Sequence, residues 1–199
     1  MGEGIMLVVS GPSGCGKGTI CKELLRRNEG INVSVSATTR KPRKGEVEGV
    51  NYFFVSENKF KSMIKSEEVL EYAHVHGSYY GTPKKFVFDK LESGEDILLE
   101  IDVQGAMQIK DKYPQAIFIF IIPPSMEELK NRIIKRGTES KDDIEIRFKN
   151  AFKELEYVNE YDYIVINDEV KEAVSKIECI VQAEKCKISR QAKIIENIL

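Results

Sequence analysis

Apolar residues fall in short unbroken runs separated by longer stretches with helical spacing. Met6–Ser10 (MLVVS) is apolar almost throughout, as expected of a strand covered on both faces. It runs into the glycine-rich segment 11–18, and residues 19–27 then read as a helix. Segments 97–101 (ILLEI) and 116–122 (AIFIFII) are two more buried-strand candidates, the second closed by Pro123-Pro124. Val103–Lys112 reads as a helix between them. Ser125 caps a predicted helix to about Arg136. Another runs from about 141 to 158, with Ile144, Phe148, Ala151, Phe152 and Leu155 at helical spacing. Tyr163–Ile166 is a last strand, and Val170 onward is helical to near the end. Apolar strands alternating with helices predict an α/β fold with a parallel core sheet flanked by helices on both faces.

From 36 to about 81 that alternation breaks down, and the segment reads as an inserted mixed lobe. A short strand is predicted over 33–37 and an extended piece over 52–55. Ser56 caps a helix carrying Phe60, Met63 and Ile64 on one side. Val69–Val75 is extended, Gly77-Ser78 marks a turn, and Thr82-Pro83 reads as a helix start with Thr82 at the cap.

The 199 residues suit one domain, which buries roughly 70% of the surface its unfolded chain exposes and needs no disulfide or structural metal. With 42% hydrophobic and 31% charged residues the profile is globular, not disordered. No apolar run approaches the roughly 20 residues that span a bilayer, and the first residues carry no basic region of the kind that opens a secretory signal. The four cysteines form no CxxC pair, so a reduced, cytoplasmic location is expected. Thirty Lys and Arg against 32 Asp and Glu give a net charge of −2, which argues against a general nucleic-acid binder.

Gly11-Pro12-Ser13-Gly14-Cys15-Gly16-Lys17 satisfies G-x-x-x-x-G-K between a predicted strand and a predicted helix. In such a loop successive N–H groups point at phosphate oxygens, the helix N-terminus adds partial positive charge, and Lys17 reaches the β- and γ-phosphates. Gly18 stands where the general motif has a Ser or Thr that holds Mg²⁺. Thr19, one position later, either hydrogen-bonds a phosphate or caps the helix. Glu100, ending the second core strand, either holds Mg²⁺ through water or pairs with Lys17 or a helix start. Cys15, near a helix N-terminus, is expected to have a lowered thiol pKa and to alkylate readily.

Arg40 and Arg43 lie in the basic stretch RKPRK, which reads as a solvated surface, a nucleic-acid patch, or the planar capture of a second phosphate with hydroxyls from Tyr52 and Tyr80. Six motifs then stand in one order: SGPSGCGKGT, SVSATTRKPRKGEVEGVNYFFV, LEYAHVHGSYYGTP, LEIDVQG, RGTES and VIND. Together they resemble guanylate kinase over residues 5 to about 187. The resemblance implies a P-loop nucleotide kinase in purine nucleotide metabolism, with an inserted mixed GMP-binding lobe (36–84) and a helical lid (125–155). The core would comprise 1–35, 85–124 and 156–199.

Residue by residue, the resemblance puts ATP on Gly11, Pro12, Ser13, Gly14, Cys15, Gly16, Lys17, Gly18 and Thr19, with Asn167 near adenine unless it is only a turn former. It puts the GMP phosphate on Arg40, Arg43, Tyr52 and Tyr80, and guanine against Ser36, Glu71, Thr82 and Asp102. Guanine offers N1–H and a 2-amino group as donors, so an ionised Glu71 can accept both. Lys17, Arg40, Arg136 and Arg147 become the catalytic cations, with Mg²⁺ entering as Mg·ATP. Arg147 also borders the apolar face of its helix, where an arginine often only lays its stem over apolar surface. Arg132 matches less well and reads as a surface or hinge residue. His74 and His76 share a strand face without a third ligand, which favours a structural role over metal binding. Two rival readings remain: a guanylate-kinase-like scaffold domain that binds peptides, and a kinase for another nucleoside monophosphate. The intact loop weighs against the first and Glu71 against the second.

Overall fold

The computed structural model describes residues 4–43, 45–75, 77–135 and 141–191. The central sheet contains β1 (Met6–Ser10), β2 (Ile31–Val33), β7 (Asp96–Glu100), β8 (Ile117–Ile122) and β9 (Tyr163–Ile166), in the order β2-β7-β1-β8-β9. Every pairing in it is parallel. Alternation along β1 explains the unbroken apolar run. Leu7 and Val9 join a cluster with Ile20 and Leu24 of α1 (Lys17–Arg27) and Val174 and Ile177 of α7 (Val170–Lys185). Met6 and Val8 face the other way, with Val87 of α3 (Lys84–Glu92) and Ala106 and Ile109 of α4 (Val103–Lys112). A strand buried on both faces leaves room for a polar side chain only where a partner satisfies it, as at the strand-end Ser10.

A second sheet holds β3 (Ala37–Thr38), β4 (Phe53–Phe54), β5 (Val69–Val75) and β6 (Ser78–Pro83), ordered β4-β3-β6-β5. It mixes one parallel pairing, β3 with β4, with antiparallel β3–β6 and β5–β6. Its own small core combines Ala37, Phe60, Met63 and Val69, with Phe60 and Met63 supplied by α2 (Glu57–Lys65). Ser56 caps α2 as expected, accepting the Lys59 N–H. Two helices, α5 (Met126–Lys135) and α6 (Lys141–Leu155), pack through Leu129, Ile133 and Ala151, and the Ser125 hydroxyl accepts the Glu128 N–H at the start of α5.

Four local expectations are corrected. The strand predicted over 33–37 is two strands in different sheets: Val33 pairs with Leu98, whereas Ala37 pairs with Phe53 and Gly81. The chain changes sheets at 34–36, a tertiary event that leaves no mark on a local apolar pattern. Thr82 does not cap α3. It stays in β6, and Pro83 is the residue before the helix. α6 ends at Leu155, and Phe152 is 50% exposed, so its apolar stripe is only partly covered. The C-terminal helix ends at Lys185, followed by a 3₁₀ turn over Ile188–Arg190. No helix among the described residues is long and apolar enough to cross a membrane.

Candidate active site

Three parallel strands deliver candidate residues at their carboxyl ends: β1 into the glycine-rich loop, β7 into Glu100 and Asp102, and β9 into Asn167. In an open parallel sheet the crevice forms at that edge, where connections leave toward opposite faces. Ser10 Oγ ties two of these ends together by donating to the Ile101 carbonyl at 2.9 Å.

Gly16 precedes α1 with φ +94°, and a Cβ there would come within 2.3 Å of Asn167 Nδ2, so conformation and space both require glycine. No side chain caps this helix. Its first N–H groups thus form an anion site of the kind phosphate loops use. Thr19, the third residue of α1, is exposed and does not cap it. Lys17 folds back along the loop, Nζ donating to the carbonyls of Gly11 (2.5 Å) and Pro12 (3.4 Å).

Cys15 is a correction. Its side chain is fully buried, and burial pushes the thiol up despite the nearby Lys17 charge. Iodoacetamide should therefore leave Cys15 unmodified in the native protein, with or without ATP, while the exposed Cys179 and Cys186 react. Peptide mapping by mass spectrometry reads this directly, and rapid labelling of Cys15 would contradict the burial.

A cavity of about 280 Å³ brings Lys17, Glu100 and Asp102 together with Ser36, Tyr52, Glu71 and Tyr80 from the second sheet and its approaches. Glu71 is 5% exposed and accepts a 2.8 Å hydrogen bond from the Thr82 hydroxyl. The missing side chain of Gly105, near the start of α4, makes room for it: a Cβ there would lie 2.5 Å from Glu71 Oε2. Burial, with a smaller push from Asp102, raises the Glu71 carboxyl to about 7, against the downward pull of the Thr82 bond. The acceptor expected to be fully ionised is thus poised near neutrality until donors arrive. Asp102 caps α4, its Oδ1 accepting the Gly105 N–H at 2.8 Å.

Arg40 reaches the same place by a route the sequence did not disclose. Its fork grips Glu46 with two bonds of 2.8 and 3.0 Å, and Nε donates to Tyr80 Oη at 3.2 Å. The guanidinium lies 5.4 Å from the centre of the Tyr52 ring. Glu46 also accepts the Arg43 N–H, while the Arg43 residue is exposed. Glu46 therefore fixes Arg40 beside Tyr80 and Tyr52. Lys has one ammonium where Arg has a fork, so Arg40→Lys should lose both the Glu46 grip and the Tyr80 contact. On the expectation that Arg40 grips the acceptor phosphate, as the resemblance implies, the result is a fall of about 10- to 100-fold in kcat/KM for a nucleoside monophosphate acceptor. Unchanged steady-state kinetics would remove Arg40 from the site.

Asn167 is buried and donates from Nδ2 to the Cys15 carbonyl at 2.7 Å, while its Oδ1 has no hydrogen-bond partner. It is more than a turn former. Arg132 is not a surface residue either: it pairs with Glu128 and donates to the carbonyls of Cys15 (3.3 Å) and Asn167 (3.1 Å), fastening α5 to the loop. Arg147 is half-buried on α6, and Arg136 lies outside the described residues. So does His76. His74 packs 4.7 Å from the Tyr79 ring, and among the described residues no three His, Cys, Asp or Glu groups converge on a metal site. Glu154 escaped the sequence reading altogether. From α6 its Oε2 accepts the Ser13 N–H at 2.9 Å.

Similarity to known proteins follows the same lines. A model of the guanylate kinase family matches residues 4–184. A guanylate kinase from Caldanaerobacter subterraneus is 58% identical over 196 residues, covering 98% of this chain and 95% of that protein. One from Clostridium tetani is 57% identical, covering 96% and 91%. A crystal structure of guanylate kinase from Anaplasma phagocytophilum superposes with a TM-score of 0.79 at 37% identity, covering 96% of this chain and 90% of that one. The motif order read from the sequence, the two-sheet architecture and these full-length matches agree, and the chain belongs to the guanylate kinase family.

Proposed function

We propose that the protein transfers the γ-phosphoryl group of ATP to GMP, giving GDP and ADP, and accepts dGMP as well. The observation that carries this reading is one cavity joining the phosphate-loop lysine, Lys17, to a buried carboxylate, Glu71, on the second sheet. Guanine N1–H and the 2-amino group donate to Glu71, and O6 accepts from Ser36, the Thr82 proton being held by Glu71. Adenine would turn a bare N1 lone pair toward the carboxylate, and a buried mismatch of this type rejects an analogue by roughly 10⁴-fold. The acceptor phosphate is held by Arg40, Tyr52 and Tyr80, with Arg43 closing from the exposed side. Burial raises the Tyr52 phenol, which keeps its hydroxyl a donor at neutral pH.

The attacking group is a phosphate oxygen already anionic at neutral pH, so no general base is needed. The physical difficulty is charge. Two unit charges about 4 Å apart repel by about 4 kcal/mol at an effective dielectric near 20. Lys17, the loop N–H groups, Arg40, Arg136 and Arg147 offset that repulsion and stabilise charge spreading over the transferred group. Gly11 through Thr19 hold the ATP phosphates, and Asn167 Oδ1, buried without a partner, accepts from the adenine amino group. Lid helices lying over the loop keep water from taking the phosphoryl group.

Mg²⁺ fits the residues present. A Cβ at Gly18 would sit 3.3 Å from Glu100 Oε1, so the place of the usual motif hydroxyl faces a carboxylate. A hard oxygen donor beside a phosphate loop suits an ion that keeps its waters and binds through phosphates. Glu100 would hold it through water, and the ion, when bound, neutralises charge on the β- and γ-oxygens.

A single-turnover reaction with γ-³²P-ATP and GMP tests the chemistry. The label should appear in GDP at the rate ADP forms. Label released mainly as inorganic phosphate, with no labelled GDP, would overturn the reading.

A further inference from the structure

Glu154 has a place in the site that no motif assigns. It follows Arg147 by seven residues on α6, so the two lie on one face, two turns and about 10 Å apart. Its carboxylate accepts the Ser13 N–H on the upstream arm of the phosphate loop. Lys17 Nζ, the group that meets the β- and γ-phosphates, lies against Gly11 and Pro12 on that same arm. The upstream arm is therefore the end of the loop nearest the phosphoryl group that moves. α5 also touches the loop, since a Cβ at Gly14 would come within 2.9 Å of Ile133 Cγ1 and 3.3 Å of Leu129 Cδ1. Arg132 anchors α5 itself through the Cys15 carbonyl, but α6 rests on α5 through apolar contacts of Leu129, Ile133 and Ala151, which resist separation yet allow sliding. The Glu154 bond is directional and fixes where along the loop α6 sits.

Resting on the phosphoryl-transfer reading above, we propose that Glu154 is a positioning residue: by holding the Ser13 N–H it sets the register of α6 over the phosphate loop and so places Arg147 on the transferred group. An error of about 1 Å in such placement costs on the order of 10²-fold in rate when the displaced group acts in the transition state. The acceptor atom matters here more than the charge. Glutamine offers a carbonyl oxygen at nearly the same place, whereas alanine offers nothing.

The test is a double-mutant cycle on the full chain in the Mg·ATP and GMP assay, with Glu154→Ala, Glu154→Gln, Arg147→Ala and the Glu154→Ala/Arg147→Ala pair. Glu154→Ala should lower kcat by about 10- to 30-fold with KM for GMP within twofold of wild type, and Glu154→Gln should recover most of that loss. In the Arg147→Ala background, Glu154→Ala should cost no more than about threefold further, because both changes remove one effect. Multiplicative losses would overturn the proposal, as would a Glu154→Gln variant as slow as the alanine variant. Tighter ATP binding by Glu154→Gln at unchanged kcat would overturn it too, making the carboxylate a stand-in for phosphate. Absence of GDP formation by wild type would sink the phosphoryl-transfer reading itself, which keeps the two failures distinct.

Discussion

Replacing Glu71 by glutamine should make the ligand-free protein more stable at pH 8 while lowering kcat/KM for GMP on the order of 10³-fold. Both effects come from one buried carboxyl. In the folded protein it titrates near 7, against about 4.5 when unfolded. Between those values the native state binds more protons than the unfolded one, so stability falls as pH rises through the window. Above pH 7 the cost reaches about 3 kcal/mol, and below about 4.5 it vanishes. A neutral amide escapes this cost and still accepts from Thr82. The predicted gain is about 6–12 °C in Tm at pH 8 and none at pH 4. The loss in catalysis has a separate cause. The amide would present either its NH₂ to guanine donors or a single uncharged acceptor to two of them, leaving buried groups unpaired. In wild type, kcat/KM for GMP should rise with pH up to about 7 and then level off. A Glu71→Gln variant as active as wild type, or less stable at pH 8, would contradict the assignment.

Lys17→Ala should lower kcat on the order of 10³-fold while leaving the dissociation constant for GMP within about threefold. The ammonium lies on the carbonyls of Gly11 and Pro12, and in the proposed reaction it is the loop's donor to the charge that develops on the transferred phosphate. Removing one such preorganised donor costs about 10²- to 10³-fold in systems of this kind, and a full positive charge stands at the upper end. In the proposed reading GMP binding rests on Arg40, the tyrosines and Glu71, so titration calorimetry with GMP should barely change. A kcat within tenfold of wild type would take Lys17 out of the phosphoryl-transfer step.

What could be read from the chain alone has a physical pattern. β1 and β8 announced themselves because a strand covered on both faces is filled almost entirely by apolar side chains. Ser56 and Ser125 were legible as caps because capping is local chemistry, completed within three residues. The loop from Gly11 to Lys17 was legible because its backbone needs fix its composition. Contacts between distant segments left no such trace. Nothing local tells that Glu154 meets Ser13, 141 residues away, or that Arg132 reaches the Asn167 carbonyl. Glu71 and Thr82 were each singled out, yet their mutual hydrogen bond depends on the pairing of β5 with β6. Glu46 lies six residues from Arg40, and only the folded turn shows that it occupies the fork. Cys15 misled the sequence reading because proximity to a helix N-terminus is local, whereas the burial that overrides it is tertiary.

The most direct test of the central claim is kcat/KM for GMP, IMP and AMP as acceptors, measured with Mg·ATP in one coupled assay of ADP release. IMP differs from GMP only in lacking the 2-amino group, and AMP also inverts the donor pattern at N1 and C6. GMP should be best, IMP weaker by about 10- to 100-fold, and AMP weaker than GMP by roughly 10⁴-fold. Equal use of GMP and IMP would remove Glu71 from the 2-amino group, and a preference for AMP would contradict the guanine site outright.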